Sequence, residues 1–141
     1  MGGLDSTLDS LLGKRSDQLL SVLRIVSAYM FMLHGTTKMF GFPNEGRPYE
    51  LMTLSPGLAG LLEVFGGLLL LLGLFTRPVA FVLSGLMAFA YWMAHAFREG
   101  GSAIFPITNG GDAAILYCFL FLFIAAAGGG AWSLDKTMRG Q

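Results

Sequence analysis

Four long apolar stretches constrain this chain more than any other feature, and they lie at residues 19–40, 58–75, 79–97 and 113–132. A helix rises about 1.5 Å per residue and the hydrocarbon of a bilayer is about 30 Å thick, so roughly 20 apolar residues cross it. The strings LLLLL and LYCFLFLF are apolar on every face, whereas a membrane β-strand alternates. Hydrophobic residues make up 54% of the chain and charged residues 13%, which agrees with a bilayer as solvent. We therefore predict an all-α membrane protein, a four-transmembrane-helix bundle, forming a single domain over residues 1–141.

Charge and cysteine content exclude several classes of protein. Lysine and arginine balance aspartate and glutamate, so no basic surface for nucleic acid is expected. The single cysteine, Cys118, excludes an internal disulfide and any multi-cysteine metal or iron–sulfur site within this chain. The first 18 residues are polar and acidic, where a secretory signal is basic and then continuously apolar. We therefore expect an uncleaved, multi-pass membrane protein.

The distribution of basic residues predicts the side on which the termini lie. With four spans, both termini and the TRP connection at 76–78 share one face, which carries Lys14, Arg15, Arg77, Lys136 and Arg139. The other face carries Lys38, Arg47 and Arg98. Cytoplasmic segments are enriched in lysine and arginine, so both termini are predicted to be cytoplasmic. Arg24, inside the first span, is expected to extend its guanidinium to the cytoplasmic interface.

Polar residues of the spans are expected to gather near the outer ends. His34 and Lys38 close the first span, Glu63 lies near the start of the second, His95 ends the third after Tyr91 and Trp92, and Asn109 and Asp112 stand at the start of the fourth. This topology predicts one pocket at one depth. Plainer alternatives remain, because Lys38 can snorkel to the interface and His95 can belong to an aromatic belt.

Glu63 is the strongest candidate for a functional group. An unpaired charge this deep in a bilayer costs about 2.5 to 3.5 kcal/mol or more. Gly60 and Gly67 share its helix face and allow another helix to approach, so Glu63 is expected to face the bundle and pair with Lys38. The alternative is that this ion pair only locks the two helices together.

Cofactor chemistry is weakly specified by the sequence. His34 and His95 could ligate both axial positions of a haem, but Lys38 crowds the site and disfavours it. Metal binding by these histidines and Glu63 has suitable ligand types but no specific spacing, so no metal site is predicted. No flavin motif, phosphate loop or dinucleotide fingerprint is present, and no covalently bound cofactor is expected.

Four ordered motifs resemble one known family. HGTTK ends the first span, GLLEVFGGLLLLLGLFTRP covers the second, AHAF ends the third, and NGGDAAILYCFLFLFIAAAGGGAWSLD covers the fourth. Over residues 19–135 they resemble the DoxX family of small four-helix bacterial membrane proteins, named after a subunit of a thiosulfate:quinone oxidoreductase. The resemblance implies a multi-pass protein of the bacterial inner (plasma) membrane. It also implies that His34, Lys38 and Glu63 occupy the family's polar motif positions. Asp112 departs from the pattern, since similar members often carry glutamate there.

The resemblance and the polar residues together predict a quinone-binding accessory subunit of a membrane redox complex, at most a non-flavin subunit of a quinone-linked oxidoreductase. His34 and Lys38 would donate hydrogen bonds to a quinone carbonyl, Glu63 would relay protons, and Tyr91 and Trp92 would flank the ring. Expected partners are the lipid bilayer and either other membrane redox subunits or further copies of this chain. The alternatives are a structural or assembly subunit without ligand, and a small proton-coupled transporter working as an oligomer.

Overall fold

The structure is a computed structural model that describes residues 2–43, 57–97 and 102–140. Its helices in chain order are α1 (Gly2–Leu12), a 3₁₀ turn (Gly13–Arg15), α2 (Ser16–Phe40), α3 (Gly57–Leu72), α4 (Thr76–Ala90) with a π-helical continuation (Tyr91–Ala96), α5 (Pro106–Asn109), α6 (Asp112–Ala127) and α7 (Leu134–Arg139). All regular structure in these ranges is helical, which confirms the predicted all-α class. Arg47 and Arg98, used above to predict orientation, lie outside the described residues.

The four predicted apolar stretches correspond to α2, α3, α4 with its continuation, and α6. Two continuous helices, Gly2–Phe40 and Thr76–Ala96, are long and apolar enough to cross a membrane, and α3 and α6 are shorter apolar helices. The helix that contains α2 begins well before residue 19, because α1 and the 3₁₀ turn lead directly into it. None of the residues of α1 is buried.

Several predicted helix ends were wrong because backbone geometry, not hydropathy, sets them. The second stretch ends at Leu72 instead of residue 75, since Gly73 adopts a φ of 69°. Thr76 begins α4, so the TRP segment opens that helix instead of forming the connection. The fourth stretch ends at Ala127 instead of residue 132, where Gly128 has a φ of 100°. A left-handed backbone of this kind favours glycine and stops a helix.

Helices α2 and α3 lie antiparallel and almost touch along their backbones. A Cβ on Gly35 would lie 2.8 Å from the carbonyl oxygen of Gly60, and one on Gly60 would lie 3.1 Å from Cβ of Lys38. Small residues at these positions therefore permit the contact, in the manner of membrane helix pairs. The same approach brings Lys38 beside the start of α3.

The second close pair is α4 with α6, and aromatic contacts join it to the first. Ser84 Oγ donates to the carbonyl of Cys118 at 2.8 Å. Phe31 of α2 meets Phe121 of α6 edge to face, with ring centroids 4.9 Å apart. The buried core includes Phe31, Phe121, Leu70, Leu83 and Ile124. Large apolar side chains such as Phe81 and Leu116 are exposed on the outside, as expected where lipid replaces water.

Candidate functional site

Lys38 and Glu63 form an ion pair between α2 and α3. Nζ of Lys38 lies 2.6 Å from Oε1 of Glu63, and the Glu63 side chain is only 2% exposed while that of Lys38 is 29% exposed. Glu63 therefore points from the glycine face of α3 toward α2, as its position between Gly60 and Gly67 predicted. The second carboxylate oxygen, Oε2, is buried and has no hydrogen-bond partner among the described residues. That oxygen can accept a proton or a further donor.

His34 lies on the same helix as Lys38, one turn earlier. Its Nδ1 is 3.0 Å from the carbonyl oxygen of Met30. A carbonyl only accepts, so Nδ1 carries the proton and Nε2 of the neutral ring is an acceptor. The neutral ring can thus accept a proton from a hydroxyl, and only the imidazolium can donate from Nε2 as well.

A groove between α2 and α6 runs from His34 along the bundle. It encloses about 360 Å³ and is lined by Leu23, Val26, Ser27, Met30, His34, Ala113, Leu116, Tyr117 and Leu120. The ring centroids of His34 and Tyr117 are 5.9 Å apart. Ser27 donates to the Leu23 carbonyl of its own helix, so its hydroxyl hydrogen is already used. The groove wall is almost entirely apolar, and His34 and Tyr117 are among the residues that line it.

Tyr117 was not singled out by sequence reasoning. Within the described ranges its hydroxyl makes no hydrogen bond, although its ring stacks on Phe121 at 5.5 Å. The available signal was its place as the one hydroxyl-bearing residue in the otherwise apolar string LYCFLFLF. Such a residue in a spanning helix turns its polar atom toward protein or a cavity.

A second polar cluster joins the π-helix to the segment before α6. Tyr91 donates its hydroxyl hydrogen to the Ala103 carbonyl at 2.7 Å, and Asn109 Nδ2 donates to the Ser102 carbonyl at 2.7 Å. His95 Nδ1 lies 3.1 Å from the Asn109 carbonyl, so here too Nδ1 is the donor. These bonds hold a loop in place, and none of these residues lines the groove beside His34.

The side chains of Trp92 and Asp112 make no hydrogen bond to either cluster within the described residues. Trp92 is 47% exposed, with its ring centroid 5.5 Å from that of Tyr91, and Asp112 is exposed in the first turn of α6. The expected single pocket of eight polar residues is therefore divided into a group on α2 and α3, a group around the π-helix, and two outward side chains. Within the described ranges, no three His, Cys, Asp or Glu side chains come together as a metal site would require.

Arg24, expected at the interface, is fully buried instead. Its guanidinium donates to the carbonyls of Leu71, Gly129 and Trp132, each at 2.8 Å, and also to that of Leu70. The expectation was wrong because Arg24 belongs to the inward face of α2. Arg24 has helical spacing from Ser21, Ala28 and Phe31, which the structure shows to be buried, so only the packed bundle identifies this face as the inward one.

Asp135 and Arg77 close the same end of the bundle. The Asp135 carboxylate accepts from the backbone N–H groups of Phe75 and Thr76, both at 2.8 Å, and so caps the start of α4. Burial acts to raise the pKa of Asp135, but hydrogen bonds from Thr76 and Phe75 and the charge of Arg139 outweigh it and leave this pKa below its ordinary value. Arg77 donates to the last carbonyls of α6, those of Ala125, Ala126 and Ala127.

Sequence comparison relates this chain to bacterial membrane proteins. The profile of the DoxX family matches residues 19–96. An uncharacterised protein of Haemophilus influenzae is 48% identical over 122 residues, covering 83% of this chain and 88% of that protein. Inner membrane protein YqjF of Escherichia coli is 31% identical over 123 residues, covering 84% and 90%, and inner membrane protein YphA is 30% identical over 129 residues, covering 84% and 89%. No solved structure matches this chain.

Proposed function

Because this chain belongs to the DoxX family and is an inner-membrane protein, we propose that its four apolar helices all cross the bilayer with both termini in the cytoplasm. Helices α3 and α6 have 16 residues each, about 24 Å at about 1.5 Å per residue, which approaches the hydrocarbon thickness. The larger number of basic residues on the terminal face supports this orientation.

Cysteine labelling tests this orientation in intact cells. In a Cys118→Ala background, single cysteines replacing Glu45 or Ser102 should react with an impermeant thiol reagent from outside. A cysteine replacing Gly140 should react only after the membrane is opened. The reverse pattern would place His34 and Lys38 at the cytoplasmic side.

For the activity, we propose that the groove between α2 and α6 binds the head group of a membrane quinone, and that the protein serves as an accessory subunit of a redox complex. The observation that carries this is an apolar groove of about 360 Å³ with His34 and Tyr117 on its wall. Ligand pockets are usually apolar with a few placed polar groups, and about 300 Å³ is enough for a small ring compound. A groove open to lipid suits a ligand that travels in the bilayer.

The tautomer of His34 favours the reduced form of such a ligand. With Nδ1–H given to Met30, Nε2 accepts a quinol hydroxyl, and after protonation it donates to a quinone carbonyl. Oxidation of a quinol to a quinone releases two protons and two electrons. Glu63 does not line the groove, so in this proposal His34 accepts a proton first and the unpartnered Oε2 of Glu63, on α3, is a later proton acceptor, while the electrons pass to another subunit of the complex.

Ligand-dependent thermal stability of the purified protein tests the quinone proposal. Short-chain benzoquinol and naphthoquinol should raise the melting temperature with concentration, since a ligand that binds only the folded state stabilises it. In His34→Ala the loss of one hydrogen bond, worth about 1 to 3 kcal/mol, should weaken ligand binding by roughly one to two powers of ten.

His95→Ala is the matched control. His95 lies in the other cluster, so its replacement should leave ligand binding intact. No shift for the wild type with any analogue at saturation would refute the proposal.

A structural or assembly subunit is the second candidate, and the closed ion pair favours it. Lys38 and Glu63 already satisfy each other at 2.6 Å, and Gly35 and Gly60 bring their helices together. On this account His34→Ala lowers the melting temperature of the free protein, and no quinone-dependent shift exists to be lost. The experiment above therefore separates the two functions.

A further inference from the structure

A second cavity opens at the end of the bundle opposite His34. It encloses about 250 Å³ where α2 and α4 begin and α6 ends, and its wall includes the glycine turn at 128–130 and helix α7. We propose that this cavity binds the phosphate group of an anionic phospholipid. The site is separate from the quinone groove and does not depend on it, but it rests on the proposed crossing of the bilayer with both termini in the cytoplasm.

The charges that line the cavity leave an excess of positive charge. Arg77, Lys136 and Arg139 are cationic and Asp17 and Asp135 are anionic, which makes three positive groups against two negative ones. Both carboxylates already accept from the protein. Asp135 caps α4, and Asp17 Oδ2 is 2.5 Å from Nζ of Lys136. With Lys136 paired to Asp17, the two arginines and the Asp135 carboxylate leave one net positive charge to attract an external anion.

Hydrogen-bond donors at the cavity remain available. In the described part of the chain, the guanidinium of Arg139 makes no hydrogen bond, and neither do the backbone N–H groups of Gly129 and Gly130. Arg77 uses its two terminal nitrogens on α6 carbonyls, and its Nε–H makes no hydrogen bond to a described residue. A guanidinium has five N–H donors, and a phosphate oxygen accepts both from these and from adjacent backbone amides.

The position of the cavity relative to the membrane favours a lipid phosphate over a soluble one. Trp132 and Phe75 lie next to the cavity-lining segments and are 59% and 60% exposed, respectively. Tryptophan is enriched at the level of the lipid head groups, so Trp132 indicates that this end of the bundle lies there. Basic pockets between spanning helices on the cytoplasmic side recognise anionic head groups. Acyl chains of the same lipid would then lie against the apolar outer surface.

Lipid-dependent stability of the full-length protein in neutral detergent tests this proposal. Short-chain phosphatidylglycerol should raise the melting temperature more than phosphatidylcholine at equal concentration. Because one basic contact with an anionic lipid is worth about 1 kcal/mol, Arg139→Gln should weaken the apparent phosphatidylglycerol affinity about fivefold. Arg15→Gln removes the same charge from an exposed position at the same end that does not line the cavity, and should retain that affinity. Native mass spectrometry of the wild type should show phosphatidylglycerol retained in preference to phosphatidylcholine.

Other outcomes assign the source of the anion or overturn the site. Inorganic phosphate at constant ionic strength should change the melting temperature little. If inorganic phosphate raised the melting temperature as much as phosphatidylglycerol does, and Arg139→Gln abolished that rise, the site would bind a soluble anion and the lipid assignment would be overturned. Equal shifts for the two lipids, or equal weakening in Arg15→Gln and Arg139→Gln, would show general charge attraction and overturn the site.

Discussion

Replacement of Arg24 by methionine should remove the main tertiary connection at the terminal end of the bundle. The side chain is fully buried and donates to carbonyls at the end of α3, at Leu70 and Leu71, and beyond α6, at Gly129 and Trp132. Bonds to a charged donor contribute about 1.5 to 3 kcal/mol each, so four would sum to roughly 6 to 12 kcal/mol. The desolvation of the guanidinium, several kcal/mol, is relieved by the substitution and offsets part of this.

We therefore expect Arg24→Met to lower the free energy of unfolding by about 3 to 5 kcal/mol, the range for removing one partner of a buried charged arrangement. That is a large part of the roughly 5 to 15 kcal/mol of a typical domain. Arg24→Lys should recover only part of the loss, because an ammonium has three donors at one point and cannot reach four carbonyls on separate segments. Helicity against denaturant in detergent measures each difference.

Arg77→Met is the matched control for the loss of Arg24. Arg77 also donates to three backbone carbonyls, but its side chain is exposed and water can replace it. Its loss should cost about 1 kcal/mol, the net value of an ordinary hydrogen bond. If Arg24→Met costs no more than Arg77→Met, burial of the guanidinium does not matter and the reasoning fails.

Three further substitutions test individual contacts. Lys38→Met should lower the free energy of unfolding by about 3 to 5 kcal/mol, because it leaves the buried Glu63 carboxylate unpaired. Adding Glu63→Gln should restore part of the lost stability. Strictly additive effects in the double-mutant cycle would contradict the pairing. Gly35→Ala should lower the free energy of unfolding by about 1 to 3 kcal/mol, measured by heat or denaturant, because its Cβ would meet the backbone of α3. Gly85→Ala is the control: a Cβ there meets nothing within 4 Å, so this substitution should be neutral or stabilising. Equal effects of the two substitutions would disprove the close approach of α2 and α3. Asp135→Asn should be less stable than the parent at pH 7. The folded pKa of Asp135 lies below its ordinary value of about 4, so the ionised carboxylate stabilises the fold above that pH, and the difference between the two proteins should shrink as the pH falls below it. A difference in stability that stays constant down to pH 2 would contradict this.

The polar site was predictable in part. Its strongest pair, Lys38 and Glu63, follows from a carboxylate on the glycine face of one apolar helix and a lysine at the adjoining end of another. The role of Tyr117 did not follow, because the sequence does not tell which way an apolar helix is rotated. The separation of His95 from His34 also depended on that rotation and on the π-helical turn at Tyr91–Ala96.

By itself, the sequence determined the all-helical class, the number of apolar segments and their approximate positions. These follow from local chemistry, since continuous apolar runs in lipid must satisfy their backbone groups within each helix. Only the tertiary structure decided that Arg24 points inward and that α2 and α6 enclose a groove. Those features depend on which acceptors and side chains distant segments bring to the same place. A buried guanidinium is stable only where carbonyls from other segments surround it, and the hydropathy pattern of the sequence does not identify those carbonyls.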